Sequence, residues 1–365
     1  MFNVTQLLFT PLEIRGATFK NRIWVSPMCQ YSAENGVIGT WHLVHLGAFA
    51  TGGVGLVMVE ATGVSPEGRI STGCPGIWND EQALAYKEVI DFVHQQRALI
   101  GIQLSHAGRK GSTLKPWDDH EIASESEGGW QTFSASPIAY KDFPKPNALS
   151  VNQISELSKS FANSARRAID VGFDVIEIHA AHGYLFHQFL SPITNQRSDE
   201  YGGTQENRIR FLLETSQLVR ETIPKDVPLF VRISATDWVE GGWDLEDSIF
   251  LSSKLKEVGV DLIDVSTGGL VHDAVISTGP GYQVPFSAAI REKVGIPTSA
   301  VGLITQGQQA EDILVQGKAD AVMIARQMLR NPRWAISIAE EFGEKIDWSV
   351  QLERARRVGP RKSPQ

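Results

Sequence analysis

The sequence predicts a (β/α)8 TIM barrel, and three observations carry that prediction. Short runs rich in Val, Ile and Leu recur eight times, each followed by a polar, helix-like stretch. The runs are almost continuously apolar rather than alternating, as expected for parallel strands covered on both faces. Polar residues able to do chemistry gather where the runs end, which is where barrels of this kind place their active sites.

The eight runs fall at 23–26, 56–59, 100–104, 175–178, 229–233, 262–265, 298–301 and 321–324. Between them lie helical patterns, for example at 81–95, 152–168, 207–221 and 248–258. A barrel of this kind uses roughly 250 residues, so a chain of 365 leaves a surplus for insertions. The reading is a single barrel domain over 1–345 with an insertion at about 111–150, followed by a tail at 346–365. The insertion is rich in Ser, Gly, Pro and Asp and follows the third strand on the active-site side, where it forms either a cap or a solvated loop. The tail is basic and without apolar period, which reads as a solvated, partly disordered end. A doubly wound sheet is the alternative architecture. It lacks support because no GxGxxG follows a strand, and GGVGLV at Gly52 precedes one.

Composition narrows the function. A formal charge of −8 and a pI near 5.6 argue against nucleic acid or an anionic membrane as partner. Two cysteines, Cys29 and Cys74, are too few for a disulfide framework, a four-cysteine zinc site or an iron–sulfur cluster. Whether they approach each other is not legible. The first residues lack the basic start and long apolar stretch of a signal peptide. The longest uncharged apolar segment, 46–59, is well short of the roughly 20 residues a membrane helix needs. A cytoplasmic location is expected.

The fourth run ends in His179, His182 and Tyr184. Two imidazoles can donate hydrogen bonds to a substrate oxygen, and a phenol can give up a proton. The other strand ends supply Ser26, Pro27, Met28, Cys29 and Tyr31, then Ala61, Gln103, Arg232, Gly302, Ala325 and Arg326. Loops after strands seven and eight are the usual phosphate site of the fold, and helix N-termini favour anions. A metal at His179 and His182 would need a third ligand, with His106 and His187 as candidates; no metal is expected. Schiff-base lyase chemistry would need a lysine at a strand end. Lys110 is the nearest and lies beyond the strand.

The chain also resembles the Old Yellow Enzyme family of FMN-dependent ene-reductases. The resemblance rests on FKNRIWVSPMCQYS, WHLVHLGAFATGGVGLVMVEATGV, GIQLSHAGRK, IHAAHGYLFHQFLSPITNQRSDEYGGTQENRIRF, SAVGLIT and AVMIAR. Cys29, Tyr31 and the His-x-x-His pair look like its thermophilic-like subclass. The resemblance implies an NAD(P)H dehydrogenase with FMN on a (β/α)8 barrel. Ser26, Pro27, Met28 and Cys29 would pass along the flavin, Cys29 tuning its potential, with Ala61 beside it. Gln103 would bond the pyrimidine ring, and Arg232 would lie near N1, favouring the anionic reduced flavin. Gly302, Ala325 and Arg326 would hold the phosphate.

It further implies NADPH or NADH as reductant and an activated alkene as substrate: an enone, enal or maleimide, with quinones and nitro compounds as further candidates. Hydride would leave flavin N5, His179 and His182 would hold the substrate oxygen, Tyr31 would orient it, and Tyr184 would protonate carbon. With no second nucleotide motif, both reactants would share one site in ping-pong fashion. A flavin dehydrogenase working in the desaturating direction is the alternative, and a phosphate-binding lyase or isomerase is a third. Gln351–Arg354 resembles a segment whose arginine reaches a neighbouring subunit's active site, although Ala355 and Arg356 depart from the usual Gly-Trp. A homo-oligomer, dimer or tetramer, is expected.

Overall fold

The computed structural model describes residues 6–356. Eight parallel strands close into a barrel: β1 (Ile23–Val25), β2 (Leu56–Gly63), β3 (Leu99–Ser105), β4 (Val175–Ala180), β5 (Leu229–Ser234), β6 (Leu262–Ser266), β7 (Thr298–Ala300) and β8 (Ala321–Ile324). They pair in sequence order, and β8 closes on β1 through Val322, Met323 and Ile324 opposite Ile23, Trp24 and Val25. Each strand therefore faces helices outside and the barrel inside, which is why its apolar run is continuous.

Helices connect the strands: α1 (Thr40–Ala50), α2 (Asp80–Ala85), α3 (Lys87–Gln95), α4 (Val151–Val171), α5 (Leu185–Leu190), α6 (Gln205–Thr222), α7 (Leu245–Glu257), α8 (Val284–Val294), α9 (Gly307–Val315), α10 (Arg326–Arg330) and α11 (Trp334–Phe342). The best-defined ends follow local chemistry. The Ser150 hydroxyl caps the Gln153 N–H at the start of α4, and Gly172, at φ 109°, ends it in the left-handed region. The single helix expected over 81–95 divides at Tyr86, whose ring is fully buried.

Seven strands meet the sequence expectation within a residue or two; β2 does not. It continues past Glu60 to Gly63, through a register shift between Val59 and Ala61. The shift leaves the Glu60 carboxylate 3.2 Å from His42 on α1, while Ala61 comes into register with Gln103. A charged residue marked the end of the run in sequence. In the fold it has a buried partner, so the strand goes on.

The barrel floor is packed. A hairpin, Leu12–Ile14 with Ala17–Phe19, covers the N-terminal ends of the strands. Its Phe19 lies 4.6 Å from Trp24 and 6.3 Å from Phe230, ring centre to ring centre. Such pairs contribute about 0.5–1.5 kcal/mol each beyond burial. Chemistry is thereby confined to the open, C-terminal mouth.

Residues 346–356 are largely exposed but keep some contacts with the barrel. Asp347 pairs with Arg97 at 3.1 Å and the Ser349 hydroxyl donates to Gln96 at 2.7 Å. Both partners lead into the N-terminal end of β3, so this segment runs beneath the floor. Residues 357–365 of the expected tail lie outside the described residues. Among the described residues no helix is long and apolar enough to cross a membrane.

Candidate active site

The strand-end residues do converge. Below the mouth, inward-facing side chains of successive strands form a polar layer. Gln103 Nε2 donates to Glu177 Oε1 at 2.8 Å, Arg232 Nη1 donates to Ser26 Oγ at 3.2 Å, and Ser299 Oγ donates to Asp264 Oδ1 at 2.8 Å. Arg232 Nε lies 3.0 Å from Asp264 Oδ2, although the N–H does not point along that line. Glu177 and Asp264 are both fully buried. Burial, reinforced by the charge on Asp264, raises the Glu177 carboxyl to about 8. Burial likewise raises Asp264, against the pull of Arg232.

Above that layer sits the histidine turn. His179 lies one residue before the end of β4, and its Nδ1 accepts the Ala181 N–H at 3.2 Å, so Nε2 carries the proton. That nitrogen is 3.4 Å from His182 Nδ1. His182 Nε2 lies 2.8 Å from Ser266 Oγ, whose hydroxyl is also 3.2 Å from Gln283 Oε1. Since the hydroxyl can turn to either partner, His182 can carry its proton on either nitrogen. Desolvation first, then the charge of Arg232, lowers both imidazoles well below 6.5. They are neutral donors at neutral pH. Tyr184 stacks edge-on to His179 at 4.9 Å. Burial holds its phenol well above 10, so it stays protonated.

Two non-glycine residues here adopt left-handed backbone: Tyr31 at φ 53° and His182 at φ 56°. Both are held from outside. The Glu60 carboxylate accepts the Gln30 N–H at 2.8 Å, fixing the segment before Tyr31. Lys110 Nζ donates to the carbonyls of His182 and Gly269, each at 2.9 Å. Strain maintained by surrounding contacts is characteristic of functional sites.

A cavity of about 500 Å³ opens beside this turn, lined by Tyr31, Ile70, Lys110, Tyr140, Phe143 and Tyr184 among others. Tyr140 and Phe143 belong to the insertion, which therefore walls the site. The Arg109 guanidinium fastens it by donating to the carbonyls of Ile138, Ala139 and Leu270. Cys29 lies beside Cys74 as well as near Tyr31 and Tyr184, and both thiols are free.

Gly302, Ala325 and Arg326 meet around a second cavity of about 160 Å³, with Tyr282 and Thr305. At Gly302, φ 119°, an added Cβ would lie 2.9 Å from Gln283 Nε2 and 3.1 Å from Tyr282 Cε1, so backbone alone lines that wall. Among the described residues the Arg326 guanidinium makes no hydrogen bond or ion pair. These features fit a phosphorylated ring cofactor. A glycine wall and a spare guanidinium offer an anion site. Buried polar atoms without partners are Glu177 Oε2 and Arg232 Nε in the polar layer, and Ser105 Oγ and His106 Nε2 where β3 ends.

The proposed third metal ligands are otherwise engaged. His187 Nε2 is 2.7 Å from Asp237 and its Nδ1 accepts the Gly183 N–H, while His106 Nδ1 accepts the Gly108 N–H. Among the described residues no group of three or more His, Cys, Asp or Glu side chains is placed to hold a metal. Arg354 is exposed in a short 3-10 helix, Val350–Ala355, below the floor. It does not join its own chain's site. Sequence reasoning missed Glu177, Asp264 and Ser266, and it saw Lys110 only as a misplaced lyase residue. Lys110 is held at the turn and lowered to about 8 by burial.

A barrel with this mouth, floor and anion corner is that of a flavin-dependent oxidoreductase. The chain belongs to the NADH:flavin oxidoreductase / NADH oxidase family, whose pattern matches residues 7–344. It is 48% identical over 354 residues to an NADPH dehydrogenase of Geobacillus thermodenitrificans, covering 96% of this chain and 99% of that one. It is 46% identical to an NADPH dehydrogenase of Bacillus subtilis, covering 95% and 98%. Among solved structures, morphinone reductase in complex with tetrahydroNAD superposes with a TM-score of 0.77 at 26% identity, covering 93% of this chain and 92% of that one. The Old Yellow Enzyme homologue from Zymomonas mobilis gives 0.77 at 29%, covering 94% and 95%. The protein is an FMN oxidoreductase of the Old Yellow Enzyme type.

Proposed function

We propose that the protein reduces activated C=C bonds at the expense of NADPH or NADH, taking enones, enals and maleimides, with quinones and nitro compounds as further acceptors. The observation that carries this reading is the meeting of His179 and His182 with Tyr184 over one open mouth. FMN, when bound, accepts hydride from the nicotinamide and passes it to the substrate. Everything else falls to side chains of this chain. Ser26, Pro27, Met28, Cys29 and Ala61 would line the ring, Gln103 and Arg232 its polar edge, and Gly302, Ala325 and Arg326 the phosphate.

His179 Nε2–H and His182 Nδ1–H would hold the carbonyl oxygen, where negative charge develops as the alkene is reduced. Tyr31 would orient the substrate. Tyr184 would deliver its proton to the α-carbon, and its protonated state across neutral pH suits that role. One mouth serves both reactants, so ping-pong kinetics are expected. Under anaerobic conditions NADPH should bleach the flavin absorbance and cyclohexenone should restore it. Bleaching without recovery would remove enones from the substrate range.

Arg354 lies at the far end of the barrel from its own chain's His179, so its part in catalysis requires a second copy. Truncation after Trp348 is expected to raise KM for the alkene several-fold and leave reduction by NADPH unchanged. Unaltered kinetics would confine this segment to the barrel floor.

A further inference from the structure

We propose that Glu177 sets the orientation of the Gln103 amide, so that the barrel presents the amide's carbonyl oxygen to the polar edge of the cofactor ring. Glu177 is thus a positioning residue for recognition of the flavin imide, the N3–H that lies between two ring carbonyls. The argument begins with hydrogen-bond inventory. A side-chain amide has one acceptor and one donor end. The Gln103 donor end is committed to Glu177 Oε1 at 2.8 Å.

Gln103 and Glu177 are opposite each other on β3 and β4, in the register Gln103↔Glu177. Both point into the barrel, 2% and 0% exposed, so water cannot substitute for either partner. With its N–H2 end drawn sideways to Glu177 across the sheet, Gln103 keeps Oε1 as a free acceptor, for which an imide N–H is the complementary group.

Glu177 is suited to the task because it accepts in either protonation state. Its raised carboxyl is predominantly protonated at neutral pH. The proton can reside on Oε2, which has no partner, leaving Oε1 as a carbonyl oxygen facing Gln103. A neutral acid in this position also spares the layer a second negative charge beside Asp264, which Arg232 already offsets.

The test is competition on the FMN-loaded protein. Holoprotein is equilibrated with equal concentrations of FMN and N3-methyl-FMN, filtered, and its bound flavins are weighed by mass spectrometry. Wild type should retain FMN over the methylated analogue by at least about 100-fold, because a site built around an N–H rejects the analogue lacking it strongly. Glu177→Gln keeps an acceptor facing Gln103 and should preserve that ratio. Glu177→Leu removes the acceptor, frees the amide to turn, and should cut the ratio at least tenfold while raising the fraction of flavin-free protein.

Wild type that binds the two flavins equally would overturn the proposal without any variant. So would Glu177→Leu with an undiminished ratio, or Glu177→Gln that loses it as fully as leucine does. Glu177→Met, of similar length but without an oxygen acceptor, repeats the test should the leucine variant not fold.

Discussion

Tyr184→Phe is expected to slow reoxidation of the reduced enzyme by cyclohexenone by about 10²- to 10⁴-fold, the usual contribution of a positioned general acid. Reduction by NADPH should be nearly untouched, since no proton is delivered to carbon in that half-reaction. Phenylalanine keeps the ring that stacks on His179 at 4.9 Å, so the histidine turn is not disturbed. Acceptor choice sharpens the test. A quinone or nitro compound takes its protons on oxygen or nitrogen, where water can supply them, so its turnover should survive the substitution. Stopped-flow measurement of both half-reactions with both acceptor types decides the matter. Wild-type enone rates in Tyr184→Phe would assign the proton to solvent instead.

The reason Tyr184 was legible in the sequence is positional. Its motif follows a short apolar run, and a run that leads into His179, His182 and Tyr184 marks the end of the strand that carries polar chemistry. The same logic singled out Gln103, Arg232 and Gly302 at their strand ends. It failed where a residue's meaning depends on neighbours far away in sequence. Glu177 sits in the middle of VIEI, and only the pairing of β3 with β4 shows that it faces Gln103 inside the barrel. Glu60 ended a run in sequence, yet in the fold it reaches His42 and the Gln30 N–H, so β2 extends to Gly63.

Lys110 was legible as a charge after a strand but not as a clamp, because its two carbonyl acceptors come from β4's turn and the loop after β6. Arg354 shows the opposite limit. A local motif suggested a role at a neighbouring subunit's active site, and contacts of Asp347 and Ser349 carry the segment beneath its own barrel, so the pattern names the residue without supplying what it meets. Local pattern gives identity and order; long-range register decides what each polar group meets.

The histidine pair sets the second large effect. Removing one donor that faces developing negative charge typically costs about 10²- to 10³-fold in rate, and His179→Ala and His182→Ala should each fall in that range for enone turnover. His182→Asn should recover part of the loss, because its side-chain N–H2 can take the place of the Nδ1–H, whereas alanine cannot. The pH dependence carries an independent signature. Desolvation and the Arg232 charge hold both rings well below 6.5, so acidification through 6.5 does not charge them. The enone half-reaction should therefore show no break near the ordinary histidine value of about 6.5, and any acid limb should lie lower. A break near 6.5 that vanishes in His182→Asn would mean that a ring reaches water and titrates freely. The neutral pair would then be lost as the source of oxygen binding, and a charged imidazolium would have to take its place.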